Sequence, residues 1–255
     1  MTSANSAGSK LSGEPESTGQ TTLCGDVYVV IPAFNEAATI RDVVQRTLQC
    51  SEHVIIVDDG SEDGTAEAIR DLPTTLIRRD RNGGKAAALI LGFGRALEDG
   101  AAAVITLDAD GQHFPEEIPL FLEAFRQHPD HVIVGSRLWN RAAVPGIRYW
   151  ANRLATFWVS WASGVHLQDA QSGFRLYPAA LLRSVSAGHG TLQGFTFESE
   201  FLINAARAGF GISFVNIKVT YPKNHMQQTH YHHVHDNARM VRMIAAKLFS
   251  GRRKG

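Results

Sequence analysis

The sequence predicts a single α/β domain built on a mixed, mostly parallel sheet with helices on both faces. Three observations carry that expectation. Short continuous apolar runs alternate with segments of helical periodicity. The runs lack polar alternation, as strands buried on both faces do. No internal repeat or clear domain boundary interrupts the alternation before about residue 136.

Residues 1–25 are rich in Ser, Thr and Gly, with almost no large apolar residues. They cannot offset the entropy of ordering, so a disordered tail is expected there. The tail has no apolar core of the signal-peptide kind. Val27–Ile31, Val54–Val57, Thr75–Ile77 and Ala103–Leu107 read as strands. Between them, helices are expected at roughly 36–49, 64–71 and 84–98. Another follows Phe114-Pro115, with Pro115 near its first turn. The expected organisation is a tail over 1–25, a domain over 26–235, and a basic amphipathic end over 236–255.

Composition narrows the classes. A chain of 255 residues with 44% hydrophobic residues can bury its apolar surface without disulfides or structural metals. Its longest notable uncharged stretch, Leu154 to Val165, falls short of the ~18 residues a membrane-spanning helix needs. Two lone cysteines, Cys24 and Cys50, form neither a disulfide framework nor a zinc site, which points to the reducing cytoplasm. With 25 basic and 25 acidic residues the net charge is zero, against bulk nucleic-acid binding. That zero is unevenly spread. The last acidic residue is Asp236, and six basic residues follow it, leaving 19 basic against 25 acidic before.

Three strands run into polar clusters: Pro32-Ala33-Phe34-Asn35-Glu36, Asp58-Asp59-Gly60-Ser61 and Asp108-Ala109-Asp110-Gly111-Gln112-His113. Each alone is ordinary turn or cap chemistry. Together they share one edge of the expected sheet, and clustered carboxylates raise each other's pKa unless a cation neutralises them. In an extended segment Asp108 and Asp110 point to the same side. Such hard oxygen donors suit Mg²⁺ or Mn²⁺, whose shell substrate phosphates and water complete. A nucleotide diphosphate is the matching partner. Gly83-Gly84-Lys85 opens the next helix, offering backbone amides and a cation to phosphate. It lacks P-loop spacing, which excludes an ATPase.

Five motifs appear in order: Ile31–Glu36, Val57–Ser61, Gly84-Lys85, Asp108–Gln112 and Gln171-Ser172-Gly173-Phe174-Arg175. Together they resemble the family 2 glycosyltransferases, specifically the dolichyl- or polyprenyl-phosphate mannose synthase-like branch, over about residues 26–235. The resemblance implies a GT-A fold, a UDP- or GDP-sugar donor, a divalent metal and inversion at the anomeric carbon. It implies that Pro32, Phe34 and Glu36 line the nucleotide pocket, and that Asp59, with or without Asp58, contacts base or ribose. Asp108 and Ala109 would meet ribose and phosphate, while Asp110 and Gln112, with Asp108, hold the metal. Lys85 and Arg137 would serve the phosphates, and Arg175 would lie at the donor–acceptor junction. Family members carry an Arg-Lys pair in a late lid; here Lys223 and His230 fall only roughly there. The Gln-x-x-Arg-Trp motif of processive synthases is absent, which favours a single transfer.

Acceptor chemistry divides the remaining candidates. A hydroxyl acceptor needs a base, for which Asp169, Glu198 and Glu200 are available, although the two glutamates also suit a helix N-terminus. A phosphomonoester, with its second pKa near ~6, needs cations instead; Arg137, Arg148, Arg153 and Arg175 are candidates, and a lipid phosphate is favoured. Trp150, Leu154, Phe157, Trp158 and Trp161 share one helical stripe. Such a stripe either faces the core or forms a membrane-interface or acceptor-lipid surface, and exposure selects the second. Five histidines between His225 and His235 suit a polar lid, with His230 able to reach the metal on closure. Residues 237–249 read as an amphipathic helix, either docked on the core or lying on an anionic membrane or a membrane subunit. Alternatives kept open are a soluble-acceptor transferase of the same family, a silent sugar-nucleotide-binding subunit, and a nucleotidyltransferase, whose Gly- and Lys-rich opening loop is missing.

Overall fold

The computed structural model describes residues 26–138, 144, 146–187 and 197–220, with backbone alone for 147, 148 and 185–187. Lys223, His230, Trp139, the histidine-rich segment, the amphipathic segment 237–249 and the tail 1–25 lie outside the described residues, as does the side chain of Arg148.

Seven strands form one sheet: β1 Val27–Ala33, β2 Val54–Asp58, β3 Thr75–Arg78, β4 Ala103–Thr106, β5 His131–Ser136, β6 Arg175–Pro178 and β7 Gly211–Asn216. The six described α-helices are α1 Ile40–Leu48, α2 Lys85–Glu98, α3 Ile118–Gln127, α4 Gly146–Ser163, α5 Ala179–Ala187 and α6 Phe197–Arg207. The strand order is β3-β2-β1-β4-β6-β5-β7. Every neighbouring pair is parallel except the two made by β6.

Alternate residues of the strands supply two cores, as period-2 geometry requires. Val30, Ile55, Val57, Val104 and Tyr177 face α2, α4, α5 and α6. Val29, Ile31, Ile56, Ile105 and Leu176 face α1 and α3. Each fully buried Val, Ile, Leu or Phe contributes about 1.5–3 kcal/mol. Gly92 lets α2 approach the sheet, because a Cβ there would collide with Val30.

Two helix expectations are corrected. The segment before Ile40 is a turn, because Asn35 is left-handed (φ 55°) and three successive amides bond side chains elsewhere. Asn35, Glu36 and Ala37 N–H donate to Ser61 Oγ, Thr65 Oγ1 and Asp63 Oδ2 at 2.9, 2.8 and 3.0 Å. The helix expected over 64–71 is a single 3₁₀ turn, Glu67–Ile69, confined between left-handed Gly64 and Pro73. β1 also extends past Ile31 through Pro32. Its pairing with β4 ends at Val30 while pairing with β2 continues to Ala33, so the missing Pro32 N–H removes no ladder bond on the β4 side.

Candidate active site

β1, β2, β3, β4 and β5 all run the same way, so Phe34, Asp58, Arg78, Asp108 and Arg137 collect at one edge. In open α/β sheets this carboxyl edge is where ligands bind. β6 runs the opposite way and begins at Arg175, which brings Gln171–Phe174 to the same edge. Its register sets Arg175 against Thr106, and Thr106 Oγ1 donates to Gly173 O at 2.7 Å.

Five carboxylates there have cation partners, three of them held by just two cations, Lys85 and Arg137. Lys85 Nζ, at the first position of α2, lies 2.6 Å from Asp108 Oδ1 and 2.7 Å from Glu198 Oε1 at the start of α6. Burial alone would depress the Lys85 ammonium, but the two carboxylates more than offset it and raise its pKa. Burial likewise opposes ionisation of Asp108, and Lys85 overrides it, holding that carboxyl below its ordinary range. Asp169 is fully buried. It accepts from Arg137 backbone N, Nε and Nη2 at 3.2, 2.9 and 3.1 Å, and from Gln171 N at 3.0 Å. That pair keeps the Asp169 carboxyl low despite desolvation.

Asp110 differs. Burial first, and then the Asp108 charge, raise its pKa. Its oxygens accept from Gln112 N at 3.0 Å and Gln112 Nε2 at 2.6 Å. A raised carboxyl beside a second carboxylate is the electrostatic cost that a bound dication would offset, so this donor chemistry fits Mg²⁺ or Mn²⁺. Among the described residues no group of three or more His, Cys, Asp and Glu could hold a metal. Asp108, Asp110 and the Gln112 side chain lie together at this edge.

The other expected residues fall into place with different jobs. Phe34 is exposed at the edge and Pro32 and Glu36 are half-buried, while Ala109 is buried. Glu36 Oε2 accepts from Thr39 Oγ1 at 3.0 Å. Asp58 is fully buried; Oδ1 accepts from Ser61 N at 2.9 Å, and Oδ2 lies 3.3 Å from Arg78 Nε. Asp59 is paired with Arg79 and accepts from Gly83 N and Gly84 N, the latter at 2.7 Å. The two glycine amides expected to meet phosphate are therefore already bonded to Asp59. Arg175, expected at the donor–acceptor junction, is fully buried instead. It donates to the carbonyls of Ser172, Glu198 and Ala170 at 2.7, 2.6 and 2.9 Å, pinning the 170–173 loop to the start of α6. Asp169 is likewise engaged by Arg137 rather than open to an acceptor. Glu200 is half-buried in the first turn of α6.

Several site residues were not singled out from the sequence. Arg78 ends β3 and Arg79 follows it at the same edge, where strand-end logic reaches them. His113 directly follows the Asp108–Gln112 motif; it is buried against Phe174, and burial pushes its imidazole down to about 4. Gly173 leaves room for its neighbours, since a Cβ there would sit 2.5 Å from Asp108 Oδ2 and 2.8 Å from Lys85 Nζ. Beyond β7 the chain returns to this edge: His113 bridges Val219, and Thr220 N donates to Gln112 O at 2.9 Å.

This sheet order with its reversed β6 and acidic carboxyl edge is the GT-A architecture. The profile of "Glycosyl transferase family 2" matches residues 28–185, and the chain belongs to that family of enzymes. It is 30% identical over 223 residues to a UDP-N-acetylglucosamine–dolichyl-phosphate N-acetylglucosaminyltransferase of Methanococcus voltae, covering 78% of this chain and 88% of the relative. It is 29% identical over 218 residues to an undecaprenyl-phosphate mannosyltransferase of Micrococcus luteus, covering 80% and 86%. Among solved structures, glucosyl-3-phosphoglycerate synthase from Mycobacterium tuberculosis with Mn²⁺ and UDP-glucose superposes with a TM-score of 0.65. It is 20% identical and shares 88% of this chain and 78% of its own.

Proposed function

We propose that this glycosyltransferase moves one sugar, with inversion, from a UDP- or GDP-sugar to a polyprenyl phosphate at the cytosolic face of a membrane. The observation that carries the acceptor class is the state of two of the three candidate bases, Asp169 and Glu198. Asp169 and Glu198 are each held by a cation, Arg137 and Lys85. A hydroxyl acceptor would need a carboxylate within hydrogen-bond reach of its proton. A phosphomonoester arrives largely deprotonated and needs only to be held. The relatives named for dolichyl- and undecaprenyl-phosphate support the same acceptor.

Phe34 offers its exposed ring to the donor's base, and the Asp58–Arg78 and Asp59–Arg79 pairs border the pocket for base and ribose. Asp108, Asp110 and Gln112 would hold Mg²⁺ or Mn²⁺, which when bound stabilises charge on the leaving diphosphate. Lys85 adds a fixed positive charge beside the same oxygens, and Asp169 orients Arg137 toward the acceptor side. Arg175 and Gly173 keep the Gln171–Phe174 loop packed against Asp108. Lys223 and His230 are proposed as the lid groups that close over the diphosphate.

The test is a donor-hydrolysis and transfer screen across UDP- and GDP-sugars with Mg²⁺ or Mn²⁺, with polyprenyl phosphate or the matching polyprenol as acceptor. Turnover with the phosphate, lost in Asp110→Ala, is expected. Transfer to the neutral alcohol alone, or undiminished turnover in Asp110→Ala, would overturn the reading.

A further inference from the structure

Helix α4 carries its side chains in an unusual order. Its small residues Ala155 and Ala162, with Val159, are buried against the core. Trp150, Leu154, Phe157 and Trp161, spaced four, three and four residues apart, are 62, 54, 60 and 57% exposed. Trp158 is half-buried and packs on the core. An ordinary surface helix turns its large apolar residues inward and its polar ones outward. A contiguous apolar stripe facing out marks an interaction surface.

The surrounding charge identifies the partner. From His131 to Gln168 the sequence contains no Asp or Glu, all four tryptophans of the chain, and four arginines (137, 141, 148 and 153), the first of them paired with Asp169 just beyond. Arg153 is exposed one turn before Phe157, and Arg207 reaches from α6 to the Ala162 carbonyl at 3.4 Å. Tryptophan and arginine without carboxylates suit the headgroup region of an anionic bilayer. A second copy of the chain, paired about a two-fold axis, would instead set like charges against each other. No helix among the described residues is long and apolar enough to cross a membrane, so the contact is with a membrane surface. The helix is also tied to the site: Ala170 N donates to Thr156 Oγ1 at 3.0 Å, next to the Asp169–Arg137 pair.

We propose that the Leu154–Phe157–Trp161 face of α4 is the surface by which the enzyme docks on an anionic lipid bilayer. The inference deepens the polyprenyl-phosphate reading and rests on it for its purpose, because a long-chain acceptor is confined to the bilayer.

The experiment uses the full chain and vesicles of phosphatidylcholine with about 30 mol% phosphatidylglycerol, against phosphatidylcholine alone. The variant Leu154→Gln/Phe157→Gln/Trp161→Gln should bind the anionic vesicles at least about tenfold more weakly than the unmodified protein. In the unmodified protein, brominated lipid should quench tryptophan emission, a readout that needs no variant to fold. Turnover separates the two readings. The variant should keep full activity on a short, water-soluble prenyl phosphate and lose it on the long-chain acceptor in vesicles. Failure of the unmodified enzyme on both acceptors would reject the acceptor reading, with vesicle binding scored separately. Vesicle binding within twofold in the variant, or no quenching, would overturn the docking face. So would a variant that converts a dimer to a monomer, or loses thermal stability, with vesicle binding unchanged; the face would then be covered by a second copy or by the chain's own C-terminal segment.

Discussion

Asp169→Asn tests whether Asp169 positions Arg137 or acts as a base. In the native pair Oδ2 accepts from Arg137 N and Nε, and Oδ1 accepts from Arg137 Nη2 and Gln171 N. Asparagine has one acceptor oxygen, so either orientation of its amide points an NH₂ group at two donors. The carboxylate is fully buried and the Arg137 side chain is 13% exposed, so the guanidinium is left with little water to replace its partner. Breaking a buried pair in this way costs about 3–5 kcal/mol. For a domain of this size the thermal midpoint should fall by roughly 6–20 °C. The sign with pH follows from the depressed carboxyl. Its contribution is complete above the unfolded carboxylate pKa near ~3.9 and disappears as pH falls through the lower folded value. The stability gap between wild type and variant should therefore stay flat from about pH 5 to 8 and close only in strong acid. Denaturant melts across that range measure it. A loss below about 1 kcal/mol would refute the buried-pair account. A stable variant that loses only the ionisation governing the transfer rate would make Asp169 a base.

Three further substitutions probe the same edge. Gly173→Ala should push the Asp108 and Lys85 side-chain ends apart, lowering turnover by about 10–100-fold with under ~1 kcal/mol lost in a denaturant melt. Normal kinetics would show that the close approach is unimportant. Glu198→Gln removes one of the two Lys85 partners. With a phosphate acceptor, kcat should stay within about tenfold of wild type, whereas a general base would cost about 10²–10⁴-fold. Gly60→Ala forces a side chain into φ +78° with the Arg81 carbonyl carbon 2.8 Å from its Cβ. A loss of about 2–4 kcal/mol is expected by chemical denaturation, together with weaker donor affinity as the Arg79–Lys85 loop shifts.

The strands were legible because burial on both faces writes a continuous apolar run, as in Val54-Ile55-Ile56-Val57. The acidic edge was legible for a related reason, since each motif directly follows such a run. The misread helices show where local pattern fails. Residues 36–39 have helical composition, but Ser61, Asp63 and Thr65, 26 to 29 residues away, bond the amides of residues 35–37 and hold a turn. Partnership at the site was equally hidden. Lys85 and Glu198 are separated by the whole central chain, and no periodicity links them. Arg175 looked like a ligand-binding arginine because the motif ends on it, yet its guanidinium serves three carbonyls. The aromatic stripe on α4 was visible in the spacing, but spacing cannot tell which way a stripe faces. Exposure decides it for Trp150, Leu154, Phe157 and Trp161, while Trp158 turns inward.

The reversed direction of β6 explains why distant motifs share one site. β6 is four residues long and lies beside β4, with Arg175 against Thr106 and Pro178 against Ala103. Run parallel to its neighbours, the strand would start at the opposite edge, moving the Gln171–Phe174 loop by roughly 10–13 Å. Gly173 would leave Asp108, Asp169 would leave Arg137 at the end of β5, and α6 would no longer begin where Glu198 meets Lys85. The antiparallel strand thus gathers beside the Asp108–Asp110 segment two cations that hold three carboxylates, Lys85 with Asp108 and Glu198, and Arg137 with Asp169. They offset Asp108, Glu198 and Asp169, while Asp110 keeps the raised pKa. The divalent cation proposed to arrive with a nucleotide diphosphate would therefore meet its largest uncompensated carboxylate at Asp110, whose pKa burial and Asp108 raise.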